Sequence, residues 1–573
     1  MTDTLVLPST DDPVVGGAVE AIGGRPGRHA RVGERRFWNP VRVLVVLTLL
    51  TSVFGYAQKL PCRDGSNWVN EYQYTRACYT DVIALYGAEG LSDGKTPYYQ
   101  HPVEYPVVIG AVMQVSSLAT KAVAKVMPDD ARQSAARRAV AAAKTTDDRV
   151  KALGSLSYAD GLARSRYFYD LTWLVMTACA LVVVVATART AGRRPWDAAL
   201  FALAPGLLLH GTTNWDLLAM ALAALGLLSW ARRRPVLAGV WFGLATATKL
   251  YPILFLAPLL FLCLRAGKFR AWLTAALATV IMALAVTAPI YLTAPSFSDT
   301  GGQFTKTLAS PLHQLRHGGG LSSLNPLHCD LTVTNSDGST TRSVEAGSCP
   351  NPVPEKTVAI QSVNSVYRFF QLNKTRGADW DSLYFQAKKL HTENGFLKGP
   401  RNAISGWLDD TGPVPSKLNR WVAAMELLVI AGLGVLIPAA RRRPRLPQVL
   451  FLGIVGFLLA NKVDSPQYVL WLLPLAALAN PRWRPFLAWQ AAEVFVLGTR
   501  FYFFIGNDKP GEGISQSWFF AAVLLRDLLL LVFSAYVVRD IWRPDRDPVR
   551  ADGQDDPAGG VLDGAPDRRD ALA

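Results

Sequence analysis

Apolar stretches recur from Val41 to Val538, and short arginine-rich loops break them. A helix needs about 20 apolar residues to cross a bilayer, so repeated runs of this kind admit few folds other than a polytopic helical membrane protein. Composition agrees. The chain is 50% hydrophobic and 18% charged, against about 25% charge in an ordinary soluble domain. This excludes a soluble enzyme, a fibrous or disordered protein and a single-pass receptor. The net charge of +15 gathers in loops such as Arg232–Arg234, Arg441–Arg443 and Arg482/Arg484, as cytoplasmic loops do under the positive-inside rule. No basic helix interleaved with aromatic residues stands in a soluble segment, so nucleic acid is not an expected partner.

Charge and parity set the expected topology. Residues 1–36 are polar, Gly-rich and Arg-rich and read as a disordered cytoplasmic tail; the segment after Arg543 (543–573) reads the same way. Arg35, Arg36 and Arg42 keep the N-terminus inside, ahead of an uncleaved first span at 41–57. Further spans are expected at 167–188, 197–213, 217–231, 236–248, 251–264, 271–293, 419–439, 447–461, 468–480, 485–504 and 517–538. The fold class is thus all-α and polytopic, about 12 transmembrane helices over residues 37–542, with both termini cytoplasmic. Two large outer loops, 58–166 and 293–419, carry amphipathic helices; Val103–Met127 reads as interfacial, because a crossing there would put every later arginine loop outside. Cys62 and Cys78 fall in the first outer loop, Cys329 and Cys349 in the second. An oxidising exterior predicts a disulfide within each pair.

Three hairpins are too short for two full spans. Only 30 residues separate Arg234 from Arg265, with Lys249-Leu250-Tyr251-Pro252 at the turn. Arg445 to Arg482 leaves 36, with Lys462, Gln467 and Tyr468 near the turn, and Arg194 to Arg232 leaves 37, with Asn214-Trp215-Asp216. At about 1.5 Å per residue, such tips sit below the outer water surface, where polar groups survive only inside protein or around a wet cavity. Asp81, about 24 residues past the first span, begins an apolar run and reads either as a helix N-cap or as a general base. Glu104 opens the interfacial helix. Glu493 and Arg526 are expected to pair across the last two spans.

The Lys249–Pro252 turn after Gly239–Gly243, the run Lys462…Ser465-Pro466-Gln467-Tyr468-Val469-Leu470-Trp471, the first-loop Tyr79-Thr80-Asp81 and Arg376-Gly377-Ala378-Asp379-Trp380 resemble the GT-C class of membrane glycosyltransferases, specifically actinobacterial members of glycosyltransferase family 87. The resemblance implies a GT-C-like fold in the cell membrane and transfer of a hexose, often mannose, from a polyprenyl-phosphate donor to a glycan or glycolipid acceptor on the outer face. It implies an Asp base that maps onto Asp81. Membrane lipids, the lipid-linked donor and the acceptor are the expected partners.

The chemistry demanded is consistent with that implication. An acceptor hydroxyl must lose a proton, and a departing lipid phosphate gains charge that fixed cations must stabilise. The candidate binding residues are Lys249, Tyr251, Lys462, Gln467, Tyr468, Asn214, Asp216, Glu104, His313, His317 and Arg368. One base opposite the leaving group implies inversion. The chain is read as carrying no HxxxH, HExxH or paired-carboxylate signature, so neither a metal nor another cofactor is expected. The rival reading is a transporter or lipid flippase, supported by the ionisable Glu493 and Arg526-Asp527 within spans.

Overall fold

The computed structural model describes residues 6, 12–21, 39–64, 71–335, 339–350, 353–394, 406–408, 414–509 and 511–567. They divide into two compact units, one of residues 1–82, 172–282 and 376–573, the other of residues 83–171 and 283–375.

Among the described residues, six helices are long and apolar enough to cross a membrane: Pro40–Arg63, Val107–Val126, Thr146–Thr190, Phe269–Thr293, Ser416–Ala439 and Gln516–Trp542. Five shorter apolar helices, Asp216–Ala231, Pro235–Thr248, Tyr251–Arg265, Leu446–Ala460 and Pro466–Ala479, accompany them. The expected dozen crossings are therefore not all of crossing length. Proline and polar tips break the chain first: Pro235, Pro252 and Pro466 each open a helical segment, where a missing N–H does no harm. Val107–Val126, expected as interfacial, has the length and composition of a crossing helix. On Ser416–Ala439, Leu427, Leu428 and Val435 are 66%, 62% and 68% exposed, a face suited to lipid rather than water.

In the first unit, close contacts between helices are polar as well as apolar. Thr51 Oγ1 donates to the Ala202 carbonyl at 2.7 Å, the Gln490 side chain accepts from Gly206 N–H at 2.9 Å, and Tyr384 OH donates to the Ala460 carbonyl at 2.9 Å. Gly239 lies so near the helix Phe269–Thr293 that a Cβ there would strike the Ala275 carbonyl. Small residues of this kind let membrane helices approach.

The termini depart from expectation. Within the N-terminal tail, Pro13–Ala21 is helical and Asp12 accepts from Val14 N–H at 2.9 Å; most of the rest of 1–36 lies outside the described residues. Residues 544–567, read from composition as disordered, instead fold onto the arginine loops. Asp547 pairs with Arg445 at 2.6 Å, both side chains almost wholly buried. Asp567 pairs with Arg265 at 2.5 Å, Asp555 with Arg442 at 2.7 Å, and Asp552 with Arg194. Trp230 Nε1 donates to the Gly559 carbonyl at 2.7 Å, and Leu562 is fully buried. The aspartates that made this segment read as disordered are the counter-ions of the arginines.

The second unit overturns the all-α expectation. The 293–419 region contains a five-stranded antiparallel sheet of β1 (Ser296–Thr300), β2 (Gln303–Leu308), β3 (Leu327–Thr334), β4 (Thr340–Ala346) and β5 (Thr357–Asn364), in the order β2-β1-β5-β3-β4. Its strands are rich in Thr, Val and Ser, which suit a pleated surface, and hydropathy over membrane-length windows does not register them. The Cys329–Cys349 disulfide ties β3 to the chain ahead of β5, where Gln361 accepts from Cys349 N–H at 2.8 Å. Ser365 Oγ donates to the Tyr98 carbonyl at 2.6 Å, and the Tyr98 ring packs under Gly110 of the helix Val107–Val126.

Candidate functional site

Asp81 begins the helix Asp81–Ala88. The N-cap reading is settled by its neighbour. Thr80 Oγ1 accepts from Val82 N–H at 3.2 Å and donates to the Thr212 carbonyl at 2.7 Å. Thr80 thus does the capping, and the Asp81 carboxylate is left for other partners. The Asp81 N–H donates to the Thr213 carbonyl at 2.7 Å, which docks this turn against the Asn214–Asp216 tip. Behind it, the Cys62–Cys78 disulfide fixes the approach to the turn, and buried Lys59 donates to the Tyr79 carbonyl at 2.8 Å.

Asn214 Nδ2 donates to Asp81 Oδ2 at 3.4 Å, and Asn214 Oδ1 accepts from Asp216 N–H at 3.1 Å. Asp216, at the first turn of Asp216–Ala231, accepts at Oδ1 from Lys249 Nζ at 2.5 Å and from Trp471 Nε1 at 2.7 Å. Lys249 follows directly on the helix Pro235–Thr248 in extended conformation, which lets its chain turn back towards Asp216. Its ammonium also lies over the rings of Tyr468 and Trp471 at 5.3 and 5.6 Å. Trp471 is stacked between Tyr251 at 4.3 Å and Tyr468 at 4.1 Å. Three hairpin tips far apart in the chain thus share one charged and aromatic cluster.

Burial raises the pKa of Asp81 above the ordinary carboxylate range, and the nearby Asp216 charge adds to this; hydrogen bonds from Tyr79 and Asn214 and the Lys249 charge oppose it. A carboxylate so placed holds a proton more readily than a solvated one, as a general base requires.

Lys462 belongs to the tip between Leu446–Ala460 and the short turn Pro466–Tyr468, where Gln467 is buried. It donates to the Arg376 carbonyl and, at 2.6 Å, to Asn419 Oδ1. Its own carbonyl accepts from Asp379 N–H at 2.7 Å, so the loop after Thr375 is clipped to this tip.

Glu104, His313, His317 and Arg368 belong to the other unit. The Glu104 N–H donates to Glu89 Oε1 at 3.2 Å. Arg368 pairs with Asp299 at 2.8 Å and lies over Phe304 at 5.2 Å. His313 and His317 are exposed and stacked at 4.1 Å on either side of one short helical turn. Their spacing is HxxxH, which corrects the expectation that the chain carries no such signature. No group of three or more His, Cys, Asp or Glu among the described residues is arranged to hold a metal ion.

The expected Glu493–Arg526 pair is not formed. Arg526 bonds Asp464 and Asp527, each at 2.8 Å, and the Asp381 carbonyl at 3.0 Å. Glu493 accepts from Trp489 Nε1 at 2.8 Å, one helical turn away on its own helix. Arg500, which the sequence reading passed over, pairs with fully buried Asp381 and shares an electrostatic environment with Asp81 and Asp379. An arginine inside an apolar run was the signal available for it.

These features define a class: a helical integral-membrane protein with a charged, aromatic cluster where interrupted helices meet. A family model, Glycosyltransferase family 87, matches residues 160–340, so this segment is similar to that family. The matched segment includes Asn214, Asp216, Lys249 and Tyr251. No curated protein matches the chain.

Proposed function

We propose that this protein is a GT-C-like transferase that moves a hexose, mannose in the first instance, from a polyprenyl-phosphate donor to a glycan or glycolipid acceptor. The observation that carries the reading is the Asp81 carboxylate: relieved of capping by Thr80, bonded by Asn214, and set beside the Lys249–Asp216 pair. In the step proposed, the acceptor oxygen forms a bond to the anomeric carbon while the bond from that carbon to the phosphate oxygen breaks. The electron pair leaves with the lipid phosphate, and the acceptor proton passes to Asp81. Attack opposite the leaving group inverts the anomeric centre.

The proposed setting is the plasma membrane, with both termini in the cytoplasm and Asp81 on the extracytoplasmic side. The disulfide at Cys62–Cys78, three residues before Asp81, supports that side. No cofactor is invoked.

The test is incubation of purified protein with polyprenyl-phosphate-mannose and envelope glycolipids, followed by mass analysis. A hexosylated product that Asp81→Asn no longer forms supports the reading. Uptake of substrate into sealed vesicles without any covalent product would favour a transporter or flippase and overturn it.

A further inference from the structure

The two lysines at the hairpin tips are in different electrostatic states. Lys249 is neutralised: its ammonium is 2.5 Å from Asp216, whose side chain is 1% exposed and is also fixed by Trp471 Nε1 at 2.7 Å. Swinging Lys249 onto a ligand anion would leave a buried carboxylate without its cation, which is strongly unfavourable. Among the described residues Lys462 has no such partner. It is 5% exposed, yet it donates only to neutral oxygens, those of Arg376 and Asn419. Among the described residues neither Lys462 nor the exposed Arg376 guanidinium forms an ion pair with a carboxylate.

Two cations are thus gathered at one place without an ion-pair partner among the described residues. The fold holds them there, since Asp379 N–H and the Lys462 carbonyl clip the Arg376 loop to the Lys462 tip at 2.7 Å. Burial and the charge of Arg376 lower the Lys462 pKa to about 8, so the pair is electrostatically loaded and an incoming anion relieves it. Tyr468 connects this place with the Asp81 cluster: it lies under the Lys249 ammonium and interacts electrostatically with Asp216, Asp379, Arg376 and Asp464.

We infer that Lys462 and Arg376 form the subsite for the phosphate of a lipid-linked donor, and that Lys249 does not bind phosphate but holds Asp216 in place beside Asp81. The inference rests on the glycosyltransferase reading above. Charge balance fits it. A sugar phosphodiester of a lipid carries one negative charge, and the departing lipid monophosphate carries up to two, so two uncompensated cations match the product better than the substrate. That is the sense in which fixed charge assists a leaving group. A guanidinium adds paired N–H donors suited to phosphate oxygens.

The experiment measures affinity for polyprenyl monophosphate, with inorganic phosphate as a second probe, on full-length protein in neutral-lipid nanodiscs. Lys462→Met and Arg376→Ala should each weaken polyprenyl monophosphate at least about tenfold, and Arg376→Lys should recover part of the loss. Inorganic phosphate should bind far more weakly than the lipid phosphate; equal binding would make this a free-anion site and overturn the assignment to a lipid. Lys249→Met should keep affinity within about threefold while losing turnover. Because that variant strands Asp216, the double variant Lys249→Met/Asp216→Asn is measured beside it. Weakening in the Lys249 variants, with Lys462 and Arg376 variants unaffected, would overturn the inference while leaving transfer from a lipid donor intact. Wild-type protein that neither binds polyprenyl monophosphate nor uses its glycosides would overturn the proposed function as well.

Discussion

At Asp81 the structure separates two roles that spacing left open. Because Thr80 accepts the Val82 N–H, Asp81→Asn should leave the thermal transition nearly unchanged while slowing transfer about 10²–10⁴-fold, read as kcat/KM beside a melting curve. The base works only when ionised, and burial raises its pKa. Activity should therefore fall as pH drops through a midpoint above about 4, the ordinary carboxylate value, and the Asn variant should lack this limb. Asp216 has a different dependence. Asp216→Ala leaves the Lys249 ammonium buried without its acid, and should destabilise the protein by about 3–5 kcal/mol, measured as a lowered melting temperature. The individual residues were legible because Lys249, Asp216 and Asp81 are polar at the ends of apolar runs. Their pairing was not, since Lys249 and Asp216 are 33 residues apart and Asp216 and Trp471 are 255 apart.

At the scale of elements, hydropathy located most apolar helices but not their lengths. Hairpins flagged as too short for two crossings are built of short helices and 3-10 turns, such as Tyr251–Phe255 and Pro466–Tyr468. Proline starts these turns, and their tips meet. The sheet β1–β5 escaped notice because alternating Thr, Ser and Val average to neither apolar nor charged over a membrane-length window. Helix contacts were equally silent. A side chain added at Gly239 meets Ala278 Cβ at 2.7 Å besides the Ala275 carbonyl. Gly239→Leu should thus part the helices Pro235–Thr248 and Phe269–Thr293 and destabilise the fold by about 1–3 kcal/mol, seen as earlier thermal unfolding in detergent.

For the molecule as a whole, the arginine loops carry two messages. Their positive charge reads as a topology signal, yet the described tail residues answer it with aspartates. Arg445 and Asp547 are 1% and 0% exposed, and Arg265, fully buried, takes Asp567. Ending the chain after Arg543 should strand both arginines. Removing one partner of a buried pair costs about 3–5 kcal/mol, so the shortened protein should melt earlier and lose resistance to protease at the 441–446 loop, as limited proteolysis would show.

The amino-acid order alone determined that this chain lives in a membrane, which loops are basic, where polar tips interrupt the apolar runs and which cysteines share a loop. Those are local properties, because transfer of a segment from water depends on the residues of that segment. Only the folded chain decided that Lys249 is spent on Asp216 while Lys462 meets no acid among the described residues, and that a tail of aspartates belongs to the arginines. An ion pair is a property of two places at once, and which places meet is settled by how helices broken at their tips pack together.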